Sequence, residues 1–315
     1  LRTLAILCNP KFQSFVSLFL SIKYNLNKGA KHVELNIFEL QKLIERCLRE
    51  DLGAGDLTTN STVPAGAVST GYILAKEDGV IAGLPLVEMI FRRLDPSVEF
   101  RPLARDGDHV ERGRVLAEIT GKARAILTGE RLALNFLRHL SGIATRTARL
   151  VEMVSGEKAL IVDTRKTTPG LRALEKYAVR AGGGHNHRFG LYDGVLIKDN
   201  HIKMAGGIKK AVLAARQGSP HTARIEVEVE DLAGVGEALE AGADIIMLDN
   251  MDTQTMREAV ELVAGRALLE ASGGIEEETI RAVASTGVDL ISVGALTHSI
   301  KSLDISLDIK ETKRI

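Results

Sequence analysis

From about residue 143 the chain alternates short aliphatic runs with helix-like segments, and this alternation restricts its fold more than any other feature. The runs are ALIVD (159–163), GVLIKD (194–199), RIEVEV (224–229), DIIMLD (244–249), ALLEAS (267–272) and DLISVG (289–294). Segments such as TMREAVELV (255–263) and EETIRAVAST (277–286) lie between them and carry apolar residues at helical spacing. Strands separated by helices form parallel βα units, because each helix must return the chain to the starting end of the sheet. AGADII (241–246) and TGVDLI (286–291) form a weak internal repeat, each placing Gly where a helix ends and a strand begins.

Six such units could close into a barrel or stay an open, doubly wound sheet. The polar residues favour the barrel. Each run ends in chemistry: Asp163-Thr164-Arg165-Lys166, Lys198-Asp199-Asn200, Glu228 with Glu230, Asp249-Asn250, Ser272-Gly273-Gly274, and Gly294. An open sheet gathers ligand residues at one switch point, whereas a barrel brings every strand's C-terminal end to one mouth. Functional ends on consecutive strands therefore predict a closed or nearly closed ring.

Residues 35 to 127 have a different pattern. Strand-like TGYILAKEDGVIAG (70–83) and GRVLAEITG (113–121) accompany helix-like LNIFELQKLIERCLRE (35–50) and LPLVEMIFRRL (84–94), which reads as a smaller α+β domain. A long helix, TGERLALNFLRHLSGIATRTARLVEMV (128–154), leads into the barrel with Thr128 as its expected N-cap. Leu132, Phe136, Leu137, Leu140 and Ile143 make its buried stripe, and Arg131, Asn135 and Arg138 occupy another face. Upstream, the apolar run at residues 12–22 is too short to span a bilayer, and residues 1–34 read as an extension ahead of the folded domain. Two cysteines, Cys8 and Cys47, cannot build a disulfide framework or an ordinary zinc site, which fits a reducing, cytoplasmic setting.

The chain is neutral, with 41 basic and 41 acidic residues, yet residues 163–203 concentrate Arg165, Lys166, Arg172, Lys176, Arg180, Arg188, Lys198 and Lys203. A local cation excess on a neutral chain points to a pocket for a small, multiply charged anion. Nucleic acid or a membrane surface would need a broader basic face with stacking aromatics, and aromatics are only 4% of the chain. Arg165 and Lys166 lie just past a strand end and ahead of Thr168 and Pro169, a cap and first turn for the next helix. Arg188 offers a bidentate fork for a carboxylate. Beside it, His187 follows a glycine run that permits close backbone approach. Lys198 ends a buried strand and needs an anion, supplied by a ligand or by Asp199. Arg172, Lys176 and Arg180, spaced i, i+4, i+8, are expected to face outward or toward a partner subunit.

The following strand ends change sign. Glu226, Glu228 and Glu230 point to one side of their strand and cannot all lie deep in a packed barrel, so the last one or two belong at the mouth. With Asp249 they suit Mg²⁺, sugar hydroxyls or a developing cation. Ser272-Gly273-Gly274 and Gly294 open helices after the last two strands, the usual place for a barrel phosphate site. Gly53-Ala54-Gly55-Asp56 follows a helix and lacks a third glycine, so it is no dinucleotide fingerprint. The hairpin-like 106–121 has no lysine at a tip and is read as structural, not as a carrier module.

These motifs together identify a family resemblance. EDLGAGDLTT (50–59), ERLALNFLRHLSGIAT (130–145), DTRKTTPGLR (163–172), GGGHNHRFGLYDGVLIKDNH (182–201), EVEVE (226–230), MLDN (247–250), ASGG (271–274) and SVGALTHS (292–299) resemble the quinolinate phosphoribosyltransferases, a type II phosphoribosyltransferase family. The resemblance runs from about residue 36 to 309. It implies an incomplete α/β barrel (134–300) behind an N-terminal α+β sandwich domain (35–133, joined by 301–315). It implies transfer of phosphoribosyl from phosphoribosyl pyrophosphate to quinolinate with decarboxylation. It also implies a homodimer or larger assembly, with Arg131 contributed across the interface. On it, Arg165, Lys166, His187, Arg188 and Lys198 line the quinolinate pocket. Glu228 and Asp249 face the ribose and Mg²⁺, directly or through water, and with Lys166 form the catalytic set. Ser272, Gly273, Gly274 and Gly294 hold the 5′-phosphate. Paralogues on the same fold act on nicotinate or accompany molybdenum transport, and a mono-acid should need fewer cations than Arg131, Arg165, Lys166, Arg188 and Lys198.

Overall fold

Each of the six aliphatic runs forms a strand. The structure, a computed structural model, describes residues 35–309, so residues 1–34 and the extension proposed there lie outside the described residues. In chain order the strands are β1 (Val68–Ala75), β2 (Gly79–Val80), β3 (Glu99–Pro102), β4 (His109–Val110), β5 (Val115–Lys122), β6 (Leu160–Val162), β7 (Val195–Ile197), β8 (Ile225–Val229), β9 (Ile245–Asp249), β10 (Leu268–Ser272), β11 (Leu290–Ser292) and β12 (Ile305–Ile309).

The chain forms two units. The first holds the residues up to Thr145, Arg180–Gly182 and the segment from Lys301; the second holds Arg146–Val179 and Gly183–Ile300. In the first unit an antiparallel sheet has the order β12-β1-β5-β3. Alternate residues of β1 are buried, as a sheet with one covered face requires. Helix Ile37–Leu52 starts at Asn36, whose Oδ1 accepts the Phe38 N–H at 3.0 Å, and buries Ile37, Leu40, Ile44 and Leu48. Gly53 ends that helix with φ +49°, and Asp56 caps Leu57–Thr62 by accepting the Thr59 N–H at 2.9 Å. The glycine-rich segment there is a link between two helices.

The long helix starts at Ala123, directly after β5, and not at Thr128. Thr128 lies inside it and donates its hydroxyl to Asp56 at 3.0 Å. The strand runs straight into the helix, so no separate cap is needed. The expected stripe is buried: Leu132, Phe136, Leu137, Leu140 and Ile143 are all core residues.

The second unit is a six-stranded parallel sheet in the order β6-β11-β10-β9-β8-β7. β8, β9 and β10 are covered on both faces, as parallel strands flanked by helices must be. β6 pairs with β11 and β7 with β8, but β6 and β7 do not pair with each other, so this is an incomplete α/β barrel. The free edge of β6 makes a bridge from Val162 to His185, which draws the chain around His187 into the gap. Gly242 and Gly287 take φ +81° and +92° ahead of β9 and β11, the left-handed conformation that only glycine adopts without strain.

Candidate active site

Because all six strands are parallel, their C-terminal ends face one mouth. A cleft of about 580 Å³ opens there, lined by Ser272, Gly273, Gly274, Gly294, Thr164 and Lys166, with Arg146 and His298 at its sides. Gly273 has φ +90°, and a Cβ there would stand 2.2 Å from Asn250 Oδ1. Asn250 is itself left-handed at φ +54°, donates its N–H to Ser272 O at 2.9 Å, and donates its side-chain amide to Asp249 Oδ2 at 2.8 Å. The turns after β9 and β10 are thus interlocked, and glycine at 273 is the residue that permits it. At Gly294 a Cβ would meet Lys166 Cδ at 3.1 Å, so Lys166 lies against this turn and faces the glycine cleft. The Lys166 carbonyl accepts the Thr297 hydroxyl at 2.7 Å.

Arg165 and Arg188 make a second group. Each carries a buried Nε with no acceptor among the described residues. Burial, and next the charge of Arg165, lower the Arg188 pKa from its ordinary value. Two guanidiniums crowd one space with donors unspent, which is the environment a carboxylate would satisfy. Arg188 Nη1 binds Gly194 O at 3.0 Å, and Asp193 holds the intervening loop by accepting the N–H groups of Phe189 at 2.6 Å and Gly190 at 2.7 Å.

The peptide at His187 is clamped by a buried ion pair. Lys176 is 2% exposed and Asp163 0%. Asp163 binds the Lys176 ammonium, accepts the Asn186 amide at 2.5 Å and accepts the His187 N–H at 2.9 Å. Lys176 also donates to His187 O at 3.0 Å. Burial raises the Asp163 pKa and lowers that of Lys176, the opposing charge offsetting only part of each shift. Lys176 therefore does not face outward. Its neighbour Arg172 also turns inward, to Thr167 Oγ1 at 2.9 Å and Phe189 O at 3.1 Å. The helix itself begins at Arg172, leaving Thr168 and Pro169 in the turn before it, where the Thr168 N–H binds Glu175 at 3.0 Å. Nor does the glycine run approach a ligand at Gly184, where a Cβ would stand 2.7 Å from Thr147 and 2.9 Å from Val179.

Lys198 departs from expectation as well. Its side chain is 46% exposed and pairs with Glu228 on the adjacent strand, while Asp199 binds Lys203 at 2.8 Å. Glu228 stands near the end of β8 and Asp249 at the end of β9, neighbouring strands. These two carboxylates are hard oxygen donors at adjacent strand ends. That set fits Mg²⁺, which takes one or two carboxylates, keeps several waters and is completed by substrate phosphates.

Glu226, one pleat deeper on β8, is 4% exposed, and Glu270 on β10 is 1% exposed. β9 lies between these strands, so the two side chains can meet only inside the barrel. With His187 they form a cluster whose ligand atoms all lie within 4.8 Å of one another. His187 Nε2 is 2.9 Å from Glu226 and 3.8 Å from Glu270, and Nδ1 accepts the Arg188 N–H at 2.7 Å. Burial works against the imidazolium, but the hydrogen bond and charge of Glu226 outweigh it and raise the His187 pKa. A proton on Nδ1 would sacrifice the Arg188 contact, so the neutral Nε2–H ring satisfies both neighbours. Glu270 is pushed up to about 8, first by burial and then by Glu226.

The sequence reading missed Glu270, Arg146 and His298. His298 was detectable, one helical turn past Gly294; LLEAS and the interior of a long helix carry no comparable local signal. Arg131 belongs to the first unit and is exposed.

Residues 143–308 match the family model described as quinolinate phosphoribosyl transferase, C-terminal domain, and residues 56–141 match the N-terminal domain of the same description. A protein of Bacillus subtilis named probable nicotinate-nucleotide pyrophosphorylase [carboxylating] is 49% identical over 275 residues, 87% of this chain and 95% of that protein. The chloroplastic nicotinate-nucleotide pyrophosphorylase [carboxylating] of Arabidopsis thaliana is 41% identical over 327 residues, 96% of this chain and 93% of that protein. The crystal structure of NadC from Streptococcus pyogenes superposes with a TM-score of 0.85 at 44% identity, covering 89% of this chain and all of that one (100%).

Proposed function

The chain belongs to the quinolinate phosphoribosyltransferase family, and from that premise we propose that it is the decarboxylating enzyme of NAD biosynthesis. It transfers phosphoribosyl from phosphoribosyl pyrophosphate to quinolinate and releases pyrophosphate, CO₂ and nicotinate mononucleotide. The observation that carries the reading is the division of one mouth into three parts: crowded guanidiniums with free donors, carboxylates at two adjacent strand ends, and glycine turns around a cleft.

Arg165 and Arg188 bind the two carboxylates of the pyridine diacid, with His187 beside them and Lys198 at the rim. The guanidiniums orient the ring so that its nitrogen faces C1′ of the ribose. The glycine turns at Ser272–Gly274 and Gly294 present N–H groups to the 5′-phosphate, with Lys166 supplying positive charge from beside the Gly294 turn. The N–C1′ bond forms as the C1′–O bond breaks, its electron pair leaving on pyrophosphate. Positive charge grows on the ribose as this happens, and the Glu228 and Asp249 carboxylates stabilise it. The ring nitrogen becomes cationic, so the adjacent C–C bond can break. CO₂ departs, and the pair left on C2 takes a proton. Glu228 and Asp249 would hold Mg²⁺, directly or through water, which when bound neutralises charge on the departing pyrophosphate.

The enzyme is read as a cytoplasmic homodimer, or an assembly of dimers, with Arg131 reaching a partner's site. This rests on the exposed Arg131 face and on the resemblance. Among the described residues no helix is long and apolar enough to cross a membrane. The test is an assay of CO₂ release and mononucleotide formation with quinolinate, then with nicotinate, each with phosphoribosyl pyrophosphate and Mg²⁺. Turnover of quinolinate that stops on chelation with EDTA and resumes with Mg²⁺ supports the reading. Preference for nicotinate, or turnover indifferent to EDTA, overturns it.

A further inference from the structure

Two acidic side chains lie buried inside the barrel just below a pocket assigned to a dianion. Glu226 comes from β8 and Glu270 from β10, and each has an oxygen, Oε1, with no hydrogen-bond partner among the described residues. Two bare carboxylates this close, both nearly out of water, would repel each other and leave their lone pairs unspent. The Arg188 charge acts on Glu226, while Lys176 is committed to Asp163 and Lys198 to Glu228, one pleat nearer the mouth. The groups that face Glu270 are Glu226, His187 and, from β11, the Ser292 hydroxyl; of these only the His187 ring can carry positive charge, and it stands nearer Glu226. His187 Nε2 stands 2.9 Å from Glu226, a hydrogen-bond distance, and 3.8 Å from Glu270.

We propose that Glu270 remains a neutral carboxylic acid and donates its proton to Glu226, so that the barrel floor under His187 and Arg188 carries one negative charge instead of two when the pyridine diacid binds. The inference rests on the proposed function. Glu270 is a positioning residue that touches no substrate. Its proton satisfies Glu226, Glu226 holds the Nε2–H of His187, and Nδ1 of that ring accepts the Arg188 N–H. This chain orients the loop that carries Arg188. Loss of the proton puts a second negative charge under the substrate's carboxylates and weakens their binding. The midpoint of that loss in the free enzyme is about 8. Above it kcat/KM for quinolinate falls about tenfold per pH unit, as one proton requires, with the change falling mainly on KM.

Two measurements decide the matter. The pH profile of kcat/KM for quinolinate is taken for the wild type and for Glu270→Gln, whose amide is uncharged at every pH and still donates to Glu226. The expected result is an alkaline limb in the wild type that is missing from the variant. A wild-type profile with no alkaline limb, or a Glu270→Gln profile with the same limb, overturns the proposal. Infrared difference spectroscopy supplies a readout free of turnover. A protonated-carboxyl band should be present in the wild type at neutral pH, titrate away near pH 8 and be missing from Glu270→Gln, which separates it from the buried Asp163 carboxyl. Absence of any such band at neutral pH overturns the proposal. If the wild type releases no CO₂ from quinolinate, the proposed function fails, and the infrared titration still decides where the proton resides.

Discussion

Lys176→Met removes one charge from the pair that clamps the His187 peptide. The ammonium and its Asp163 partner are essentially out of solvent, and breaking such a pair from one side costs about 3–5 kcal/mol because the other charge is stranded. Asp163 keeps two donors, the Asn186 amide and the His187 N–H, and burial already raises its pKa, so protonation offers relief. The loss should therefore lie near the lower bound, about 3 kcal/mol, or about 6–12 °C in the midpoint of thermal unfolding. In the double variant Asp163→Asn, Lys176→Met no charge remains to strand, and the single losses should exceed the double by about 2 kcal/mol. The loss should also depend on pH. A carboxyl whose folded pKa is raised binds its proton in the native state, so its contribution is present at low pH and lost as pH rises through the folded pKa. Lys176→Met should thus be closer to the wild type at about pH 5 than at about pH 8. Circular dichroism melts of the four proteins measure all of this. A loss under about 1 kcal/mol, or strictly additive losses, would refute the view that the pair acts as a unit. Kinetics should agree: with the His187 carbonyl released from the Lys176 ammonium, KM for quinolinate rises more than kcat falls.

Three further substitutions test the mouth. Arg165→Ala removes a charge-assisted fork worth about 2–3 kcal/mol, so kcat/KM for quinolinate should fall about 30–160-fold, mainly through KM; an unchanged value counts against the pocket. Asp249→Ala should lower kcat about 10²–10³-fold with a smaller change in KM, because its charge matters most as the ribose becomes cationic; an effect on KM alone contradicts that role. Gly273→Ala forces a Cβ into Asn250 at a φ of +90°, so KM for phosphoribosyl pyrophosphate should rise at least tenfold while the fold survives by circular dichroism; wild-type kinetics would show that the interlocked turns do not matter.

The parallel barrel was legible because its signals are local. Each strand is an aliphatic run of a few residues, each helix a periodic segment, and left-handed Gly242 and Gly287 mark the joints. The polar residue at the end of each run is likewise local, and parallel topology carries all of them to one mouth. That is why Arg165, Glu228, Asp249 and the glycine turns could be named as candidates residue by residue.

What only the tertiary structure decided is which charges are buried and what each one meets. Lys176 and Arg172 share a helical stripe that reads as a solvated face, yet Lys176 is inside because Asp163 and the His187 peptide wait there. Lys198 finds Glu228 because β7 lies beside β8, a neighbour no spacing in the chain announces. Glu270 sits unremarked in LLEAS, and its proximity to Glu226 exists only once the sheet curls and brings β10 opposite β8. Burial sets the protonation of an ionisable group, and burial belongs to the whole fold. The sequence by itself therefore determined the framework and named most of the candidate groups at its mouth, while the folded structure decided which further groups join them and the state of charge in which they stand.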